Sequence, residues 1–284
     1  MMLLATLNDT AAADMDAQAA RAAAAGVYWL ELRSAWRTSI AELDDARLQT
    51  VAGVMSRRGV RAACVDVPHR SPDDDTSRPL ERLREVFNRA AAIAGTVGAP
   101  FVRLMGGLGE PDDESRGALE RWLEFFRRCA GHAARAGAAV LVEPYAGGCV
   151  GTPDAGRAIA PALRAAGARA LYDPRRFSSG GESAAEAMAD AVLPLLAYVR
   201  VDAASVERWG RAGGMLERII RGMHRRDCFV CVEWNPTATA GGRASEAESP
   251  AAYAEAVRRA GRLIGRGAVD AVSDVERSPQ EERQ

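Results

Sequence analysis

The sequence predicts an α/β fold, a (β/α)₈ TIM barrel, and three observations favour it. Short apolar runs rich in β-branched residues alternate along the 284 residues with longer segments of helical period. A chain of this length with 48% hydrophobic residues is large enough for one barrel core. The first apolar run is followed by Asn8, Asp9 and Thr10 rather than by the glycine-rich loop of an open dinucleotide-binding sheet.

Eight apolar runs are the predicted strands. They are Leu3–Leu7, Val27–Arg33, Arg61–Val67, Phe101–Met105, Ala139–Pro144, Ala168–Asp173, Ala197–Asp202 and Phe229–Glu233. The helical pattern between them is clearest in two stripes with a spacing of three to four residues, Leu80, Leu83, Phe87, Ala90, Ala94 and Val97, and Leu119, Trp122, Phe126 and Ala133. Such stripes are typical of helices that pack on a sheet.

Residues at the predicted helix ends support the same order of elements. Thr152 before Pro153 indicates a helix start, and Ser183 with Glu186 reads as a capping box. Glycines that precede the next strand close four helices, at Gly59, Gly98, Gly137 and Gly167.

We predict one domain over residues 1–274 and a disordered, charged tail over residues 275–284. The polar stretch 237–248 is predicted as a long loop on the catalytic face of the barrel. Met1–Leu7 is apolar but too short for a membrane span or signal peptide. The five cysteines are scattered, and Cys228 and Cys231 alternate within a strand as small buried residues, which favours a reducing, cytoplasmic location.

Charge excludes some functions. The 37 basic residues are all arginine and face 38 acidic ones, so the net charge of −1 gives no broad field for nucleic acid or membrane lipid. The absence of lysine excludes Schiff-base chemistry. The expected partner is therefore a small molecule held by local contacts.

Carboxylates end several predicted strands, where barrel side chains converge on the mouth. Glu143, Asp173 and Glu233 have the oxygen atoms that Mg²⁺ or Mn²⁺ prefers, and they are predicted to share a site. A simpler alternative is a layer of ion pairs with arginines that only closes the mouth. The arginines available for it are Arg33, Arg103, Arg175 and Arg200.

The order of these motifs resembles the sugar phosphate isomerase/epimerase family, also called xylose isomerase-like or AP endonuclease 2-type. The similar segments are Gly26–Arg33, Val142-Glu143-Pro144, Leu171-Tyr172-Asp173-Pro174, Leu196–Asp202 and Cys231-Val232-Glu233. The resemblance implies a metal held by the three acids and by a histidine on the seventh strand, with the two glutamates moving protons beside a carbonyl. It also implies a small sugar-like or polyol-derived substrate and pairing of barrels into a homodimer.

The sequence departs from that family at two positions. Arg200 stands where the seventh-strand histidine is expected, and Arg175 or Arg176 stands where a histidine follows the aspartate. Arginine does not ligate metals, because its guanidinium stays protonated. Two alternatives follow: the acids hold a weakly bound Mg²⁺ or Mn²⁺ while Arg200 binds an anionic substrate group, or arginines replace the metal.

We therefore expect Glu143 and Glu233 as acid and base, Asp173 as the orienting group and Arg200 as the oxyanion stabiliser. His69 is a further catalytic candidate, whereas His132 and His224 are expected on helix surfaces. Trp29 is expected beside the mouth. The candidate substrate-binding residues are Glu31, Arg33, Arg103, Tyr145, Arg175 and Trp234.

Three functions remain open from the sequence. The first is an isomerase or epimerase that transfers a proton next to a carbonyl. The second is a lyase or dehydratase of the same family, with or without a metal, because elimination begins with the same proton abstraction. The third is a catalytically silent barrel that binds a ligand. A DNA-repair endonuclease with a zinc cluster is excluded because the chain has only three histidines.

Overall fold

The computed structural model describes the greater part of the chain. The described residues are 2–7, 9, 12–67, 79–106, 116–202, 205–206, 208, 210, 214–223, 228–233, 254–255 and 257–265. The predictions on His69, His224, Trp234, the loop 237–248 and the tail 275–284 lie outside these residues.

Eight parallel strands close into one barrel. Their order around the barrel is β1-β8-β7-β6-β5-β4-β3-β2, so each strand pairs with its neighbours in sequence and β1 pairs with β8. The bounds are β1 Met2–Leu7, β2 Trp29–Leu32, β3 Arg61–Val65, β4 Phe101–Met105, β5 Ala139–Glu143, β6 Arg169–Tyr172, β7 Leu196–Asp202 and β8 Cys228–Glu233. The predicted (β/α)₈ fold class is confirmed.

Helices follow the strands and cover the outside of the barrel. Within the described residues their bounds are α1 Met15–Ala24, α2 Asp45–Arg58, α3 Pro79–Val97, α4 Arg116–Arg135, α5 Pro153–Ala165, α6 Gly181–Val192 and α7 Met215–Met223, and residues 257–265 are also helical. The predicted stripes are packed inward: Phe87, Trp122 and Phe126 are at most 1% exposed. No helix among the described residues combines the length and apolarity needed to cross a membrane.

One predicted helix start is confirmed and one is wrong. The Thr152 hydroxyl accepts a hydrogen bond from the Ala155 amide at 3.2 Å, with Pro153 at the first helical position. The capping box at Ser183 is wrong, because a 3₁₀ turn over Pro174–Gly180 leads directly into α6. Ser183 consequently lies inside the first turn of that helix.

The inside of the barrel is layered. At the amino ends of the strands, the ring of Phe229 packs against those of Trp29, Phe101 and Tyr198 with centroids 5.2, 6.1 and 5.7 Å apart. The expectation that Trp29 borders the mouth is wrong, because this residue begins β2 and so lies at the opposite end from the strand-end carboxylates. The aromatic layer closes that end of the barrel, so the polar side chains above it face the other opening.

The glycines that close helices take the left-handed backbone that the sequence predicts. Gly59 ends α2 with φ of 65°, and a Cβ added there would meet no atom within 4 Å. We expect Gly59→Ala to lower the free energy of unfolding by about 1 kcal/mol, because only the backbone conformation opposes the side chain. Urea denaturation measures this value.

Gly53, inside the same helix, is the matched control. A Cβ there meets the end of the Arg57 side chain at 3.4 Å, which can move aside. Gly53→Ala should raise the unfolding free energy by roughly 0.5–1 kcal/mol through helix propensity. Equal effects of the two variants would contradict the assignment of Gly59 as a conformational requirement.

Candidate active site at the barrel mouth

Five carboxylates lie at one rim of the barrel, because parallel strands all end on the same side. Glu143, Asp202 and Glu233 end β5, β7 and β8, while Asp66 and Asp173 directly follow β3 and β6. Asp202 and Glu233 are neighbours in the strand register. The rim is therefore acidic before any cation is considered.

Arg103 neutralises two of these carboxylates from within the barrel. It points up from β4, where its Nη1 donates to Asp66 and its Nε donates to Glu143. Side-chain exposure is 4% for Arg103, 2% for Asp66 and 0% for Glu143. Fully desolvated charges of this kind are tolerated only when they are paired.

Arg200 forms the second buried pair, with Glu31. Its Nη2 donates to the Glu31 Oε1, and the Tyr198 hydroxyl donates to Oε2 of the same carboxylate at 3.0 Å. Tyr198 and Arg200 share the inner face of β7 because side chains alternate along a strand. Arg200 also lies 3.7 Å from Asp66 and 3.6 Å from Glu143, so the two buried pairs form one network.

The pKa values of the buried groups follow from this network. Burial alone raises the pKa of Glu143, but Arg103, Arg200 and Arg176 outweigh it and hold the value at about 2. Burial would lower the pKa of Arg103 and Arg200, yet the facing carboxylates raise both. Burial raises the pKa of Glu31 despite Arg200. Glu143 is thus a permanent carboxylate at neutral pH.

A second, more exposed cluster is built around Arg175. Its Nη2 donates to Asp173 at 2.6 Å and to Glu233 at 2.5 Å, and its Nη1 lies 3.5 Å from Asp202. Its Nε also donates to Asp173 at 2.8 Å. One guanidinium therefore joins the ends of β6, β7 and β8.

Two further arginines extend the clusters outward. Arg33 donates to Asp9 at 2.9 Å and lies 3.6 Å from Glu233. Arg176 donates to Glu143 at 2.9 Å. The positive charges of the rim are therefore distributed over several arginines, each beside a carboxylate, and are not concentrated at the centre of the mouth.

Exposure separates the two clusters. The side chains of Arg33, Arg175 and Glu233 are 37%, 24% and 12% exposed, whereas Arg103 and Arg200 are at most 4% exposed. A ligand entering the mouth therefore meets Arg175 and Glu233 before it meets the buried network.

The remaining predicted residues are placed as follows. Glu31 and Arg103 lie inside the barrel, below the rim, and Arg200 is bonded to Glu31 instead of facing the opening. Tyr145 is half-buried, and its ring lies against Gly148. His132 is half-buried on α4, away from the mouth.

Sequence reasoning did not select several residues that the structure brings into the clusters. Asp66 and Asp202 also end apolar runs, so the criterion that selected Glu143 and Glu233 applies to them equally. Tyr198 lies two residues before Arg200, and strand alternation was a sufficient signal for it. Asp9 follows β1 in a turn and carries no such signal.

The donor set does not fit a divalent metal. Among the residues that the structure describes, no three His, Cys, Asp or Glu side chains are grouped as metal ligands. The carboxylate oxygens of Asp173 and Glu233 instead receive hydrogen bonds from Arg175, and those of Glu143 from Arg103 and Arg176. A guanidinium has no free lone pair and repels a second cation.

Comparison with known proteins gives one family. A family model described as xylose isomerase-like TIM barrel matches residues 19–260. No curated protein matches the sequence.

Solved structures share the fold at low identity. A xylose isomerase-like TIM barrel protein from Mycobacterium smegmatis, in complex with magnesium, has a TM-score of 0.64 at 16% identity and covers 94% of this chain and 97% of its own. D-allulose 3-epimerase from Methylomonas sp. has a TM-score of 0.68 at 14% identity, with 94% and 98% covered. 3-keto-D-glucoside 4-epimerase from E. coli has a TM-score of 0.62 at 16% identity, with 91% and 98% covered.

The depressed pKa of Glu143 predicts a loss of stability in acid. This carboxylate stabilises the fold fully above its ordinary pKa of 4.5, and its contribution is lost as the pH falls through about 2. Glu143→Gln should lower the unfolding free energy by about 3 kcal/mol at neutral pH, because Arg103 loses its charged partner. The variant should also lose less stability than the wild type as the pH falls across this range.

Urea unfolding at a series of pH values measures both effects. The exposed Glu42, replaced by glutamine, is the control and should leave the pH profile of the wild type unchanged. A Glu143→Gln profile parallel to that of the wild type would contradict the pairing described for the buried network.

Proposed function

The chain belongs to the xylose isomerase-like TIM barrel family, and from this premise we propose that it is an isomerase or epimerase of small sugar-like keto or hydroxy compounds. One observation carries the proposal: the partly exposed Glu233 carboxylate lies beside the partly exposed Arg175 guanidinium at the rim. A base next to a fixed cation is the arrangement that proton abstraction beside a carbonyl requires.

In the proposed reaction, Glu233 takes the proton from the carbon next to the substrate carbonyl. The electron pair of the broken C–H bond forms a C=C bond to the carbonyl carbon. The π electrons of the carbonyl group move to its oxygen, which becomes the negatively charged oxygen of an enolate. Arg175 faces that oxygen and stabilises its charge, since a guanidinium donates two hydrogen bonds in a fixed geometry. Return of the proton to the former carbonyl carbon, with transfer of the neighbouring hydroxyl proton to the enolate oxygen, gives an isomer. Delivery of a proton by a water molecule to the opposite face of the original carbon, while Glu233 keeps the proton that it took and later releases it to solvent, gives an epimer.

Glu143 has a different role in this proposal from the acid or base that the sequence suggests. Its side chain is 0% exposed, and the low pKa of about 2 makes it a weak base. We assign it to holding Arg103 and Arg176. By the same reasoning we assign Arg200 to pairing with Glu31 within the barrel. Arg175, instead of Arg200, is then the oxyanion stabiliser.

We further propose that the reaction proceeds without a divalent metal. The positive charge that a cation would supply comes from Arg175 at the rim, which already bridges Asp173 and Glu233. This choice favours the second alternative raised by the sequence, in which arginines replace the metal.

Two other activities are distinguished by the fate of the same substrate. A lyase or dehydratase would begin with the same proton abstraction but expel a hydroxyl group from the neighbouring carbon. A silent barrel would bind the sugar without turnover, and the complete pairing of the buried charges favours that alternative. None of the five cysteines forms a disulfide, and the cytoplasmic location expected from the sequence stays a prediction.

The first test is a screen of keto sugars, including D-allulose, L-ribulose and a 3-keto-glucoside, with products analysed by chromatography. With the substrate identified, Glu233→Gln should lower kcat by at least about 100-fold, because the amide cannot accept the proton. Glu217→Gln, at a glutamate paired with Arg221 on α7, is the control and should retain activity. Full turnover by Glu233→Gln would contradict the assignment of Glu233 as the catalytic base.

The second test concerns the metal. Elemental analysis of the purified protein should find no stoichiometric Mn²⁺, Mg²⁺, Co²⁺ or Zn²⁺, and EDTA should leave both Tm and turnover unchanged. Added MnCl₂ should not raise the Tm, because Arg175 already occupies the carboxylate oxygens. Stoichiometric metal, or turnover that EDTA abolishes and Mn²⁺ restores, would contradict arginine replacement.

A further inference from the structure

A second concave surface lies on the outer wall of the barrel, between α3 and α4. It is an open depression of about 540 Å³, a volume that a small molecule fills. None of its lining residues belongs to the mouth clusters. The polar lining residues are Arg84, Asn88, Arg127, Arg128, His132 and Arg135, and we call this surface the α3/α4 groove.

Helical spacing concentrates the positive charge in this groove. Arg127, Gly131 and Arg135 are four residues apart on one face of α4, and Gly131 leaves room between the two arginines. A Cβ at Gly131 would meet only the Arg135 Nη1, at 3.7 Å. Arg127 and Arg135 are two turns apart on this face, so an anion placed over Gly131 lies between two positive charges.

One of the four arginines in the groove pairs with an acidic residue in the described part of the chain. Arg128 pairs with Glu124 at 2.7 Å. Arg84, Arg127 and Arg135 form no ion pair with any residue that the structure describes. Counted over the described residues, the groove therefore has three guanidiniums without an acidic partner.

An unsatisfied acceptor lies in the same groove. The Asn88 Oδ1 is buried and receives no hydrogen bond from the described part of the chain. Asn88 follows Arg84 by four residues on α3, so the two side chains are adjacent on that helix. Asn88 as a whole is half-buried, so a turn of its side chain toward the groove brings this acceptor within reach of a hydroxyl donor on a bound molecule.

We propose that the α3/α4 groove binds an organic phosphate that also carries hydroxyl groups. Guanidinium forks match phosphate oxygens, and a hydroxyl of the same ligand donates to Asn88. A small ligand suits the limited volume of this open groove, and the net charge of −1 provides no wider field for a polyanionic chain such as a nucleic acid.

Isothermal titration with fructose 1,6-bisphosphate tests the proposal on the full-length protein, with fructose and inorganic phosphate as reference ligands. Fructose 1,6-bisphosphate should bind more tightly than either, because only it carries both chemical groups. The double variant Arg84→Gln/Arg135→Gln should weaken its binding at least about tenfold. Asn88→Ala should weaken the binding of fructose 1,6-bisphosphate but leave the binding of inorganic phosphate unchanged.

The matched control is Arg82→Gln/Arg157→Gln, which removes the same charge from two arginines paired with Glu85 and Asp154 outside the groove. This control should bind like the wild type. All variants should keep the circular dichroism spectrum of the wild type, because the replaced side chains lie on the surface or line an open groove.

Three results would overturn the proposal. The first is no heat of binding at millimolar bisphosphate. The second is equal weakening by the groove variant and the control, which would indicate diffuse charge. The third is salt-dependent self-association that Arg84→Gln/Arg135→Gln abolishes without bisphosphate binding, which would make the groove an interface between copies. If the proposed isomerase activity at the barrel mouth is not found, the test of bisphosphate binding in the α3/α4 groove still stands, since the two sites share no residue.

Discussion

The neutralisation of buried carboxylates by guanidiniums is the interaction on which the rest of this structure depends. Glu31 and Glu143 are completely buried inside the barrel, and an isolated carboxylate in that position would be protonated or would unfold the strands around it. Arg103, with Arg200 and Arg176, outweighs that cost at Glu143, whereas Arg200 reduces it at Glu31, whose pKa stays raised. The barrel therefore has a charged interior that is compatible with a close-packed fold.

The need to pair buried charges gives the buried and the partly exposed polar residues different roles. The buried network is fixed by hydrogen bonds on nearly every side, so it supports the strand ends in one geometry. The rim cluster around Arg175 and Glu233 keeps partial access to water. The proposed reaction takes place at the rim for this reason, and the buried network below it holds the strand ends in position.

The fold was predictable because its signals are local. Strand and helix periodicities, Thr152 before Pro153 and the glycines after helices each depend on a few neighbouring residues, and the structure bears them out. The predictions that were wrong concern positions whose structure depends on contacts with residues distant in the sequence. Ser183 satisfies a local capping pattern, but the preceding 3₁₀ turn sets an earlier start for α6, and Trp29 belongs to the aromatic layer at the other end of the barrel.

The sequence by itself determined the eight βα units and the presence of carboxylates at the strand ends, because alternation and chain order act within each unit. Only the tertiary structure decided which guanidinium meets which carboxylate. Glu31 and Arg200 are separated by 169 residues, and their contact exists only because barrel closure places β2 and β7 three strands apart around one core.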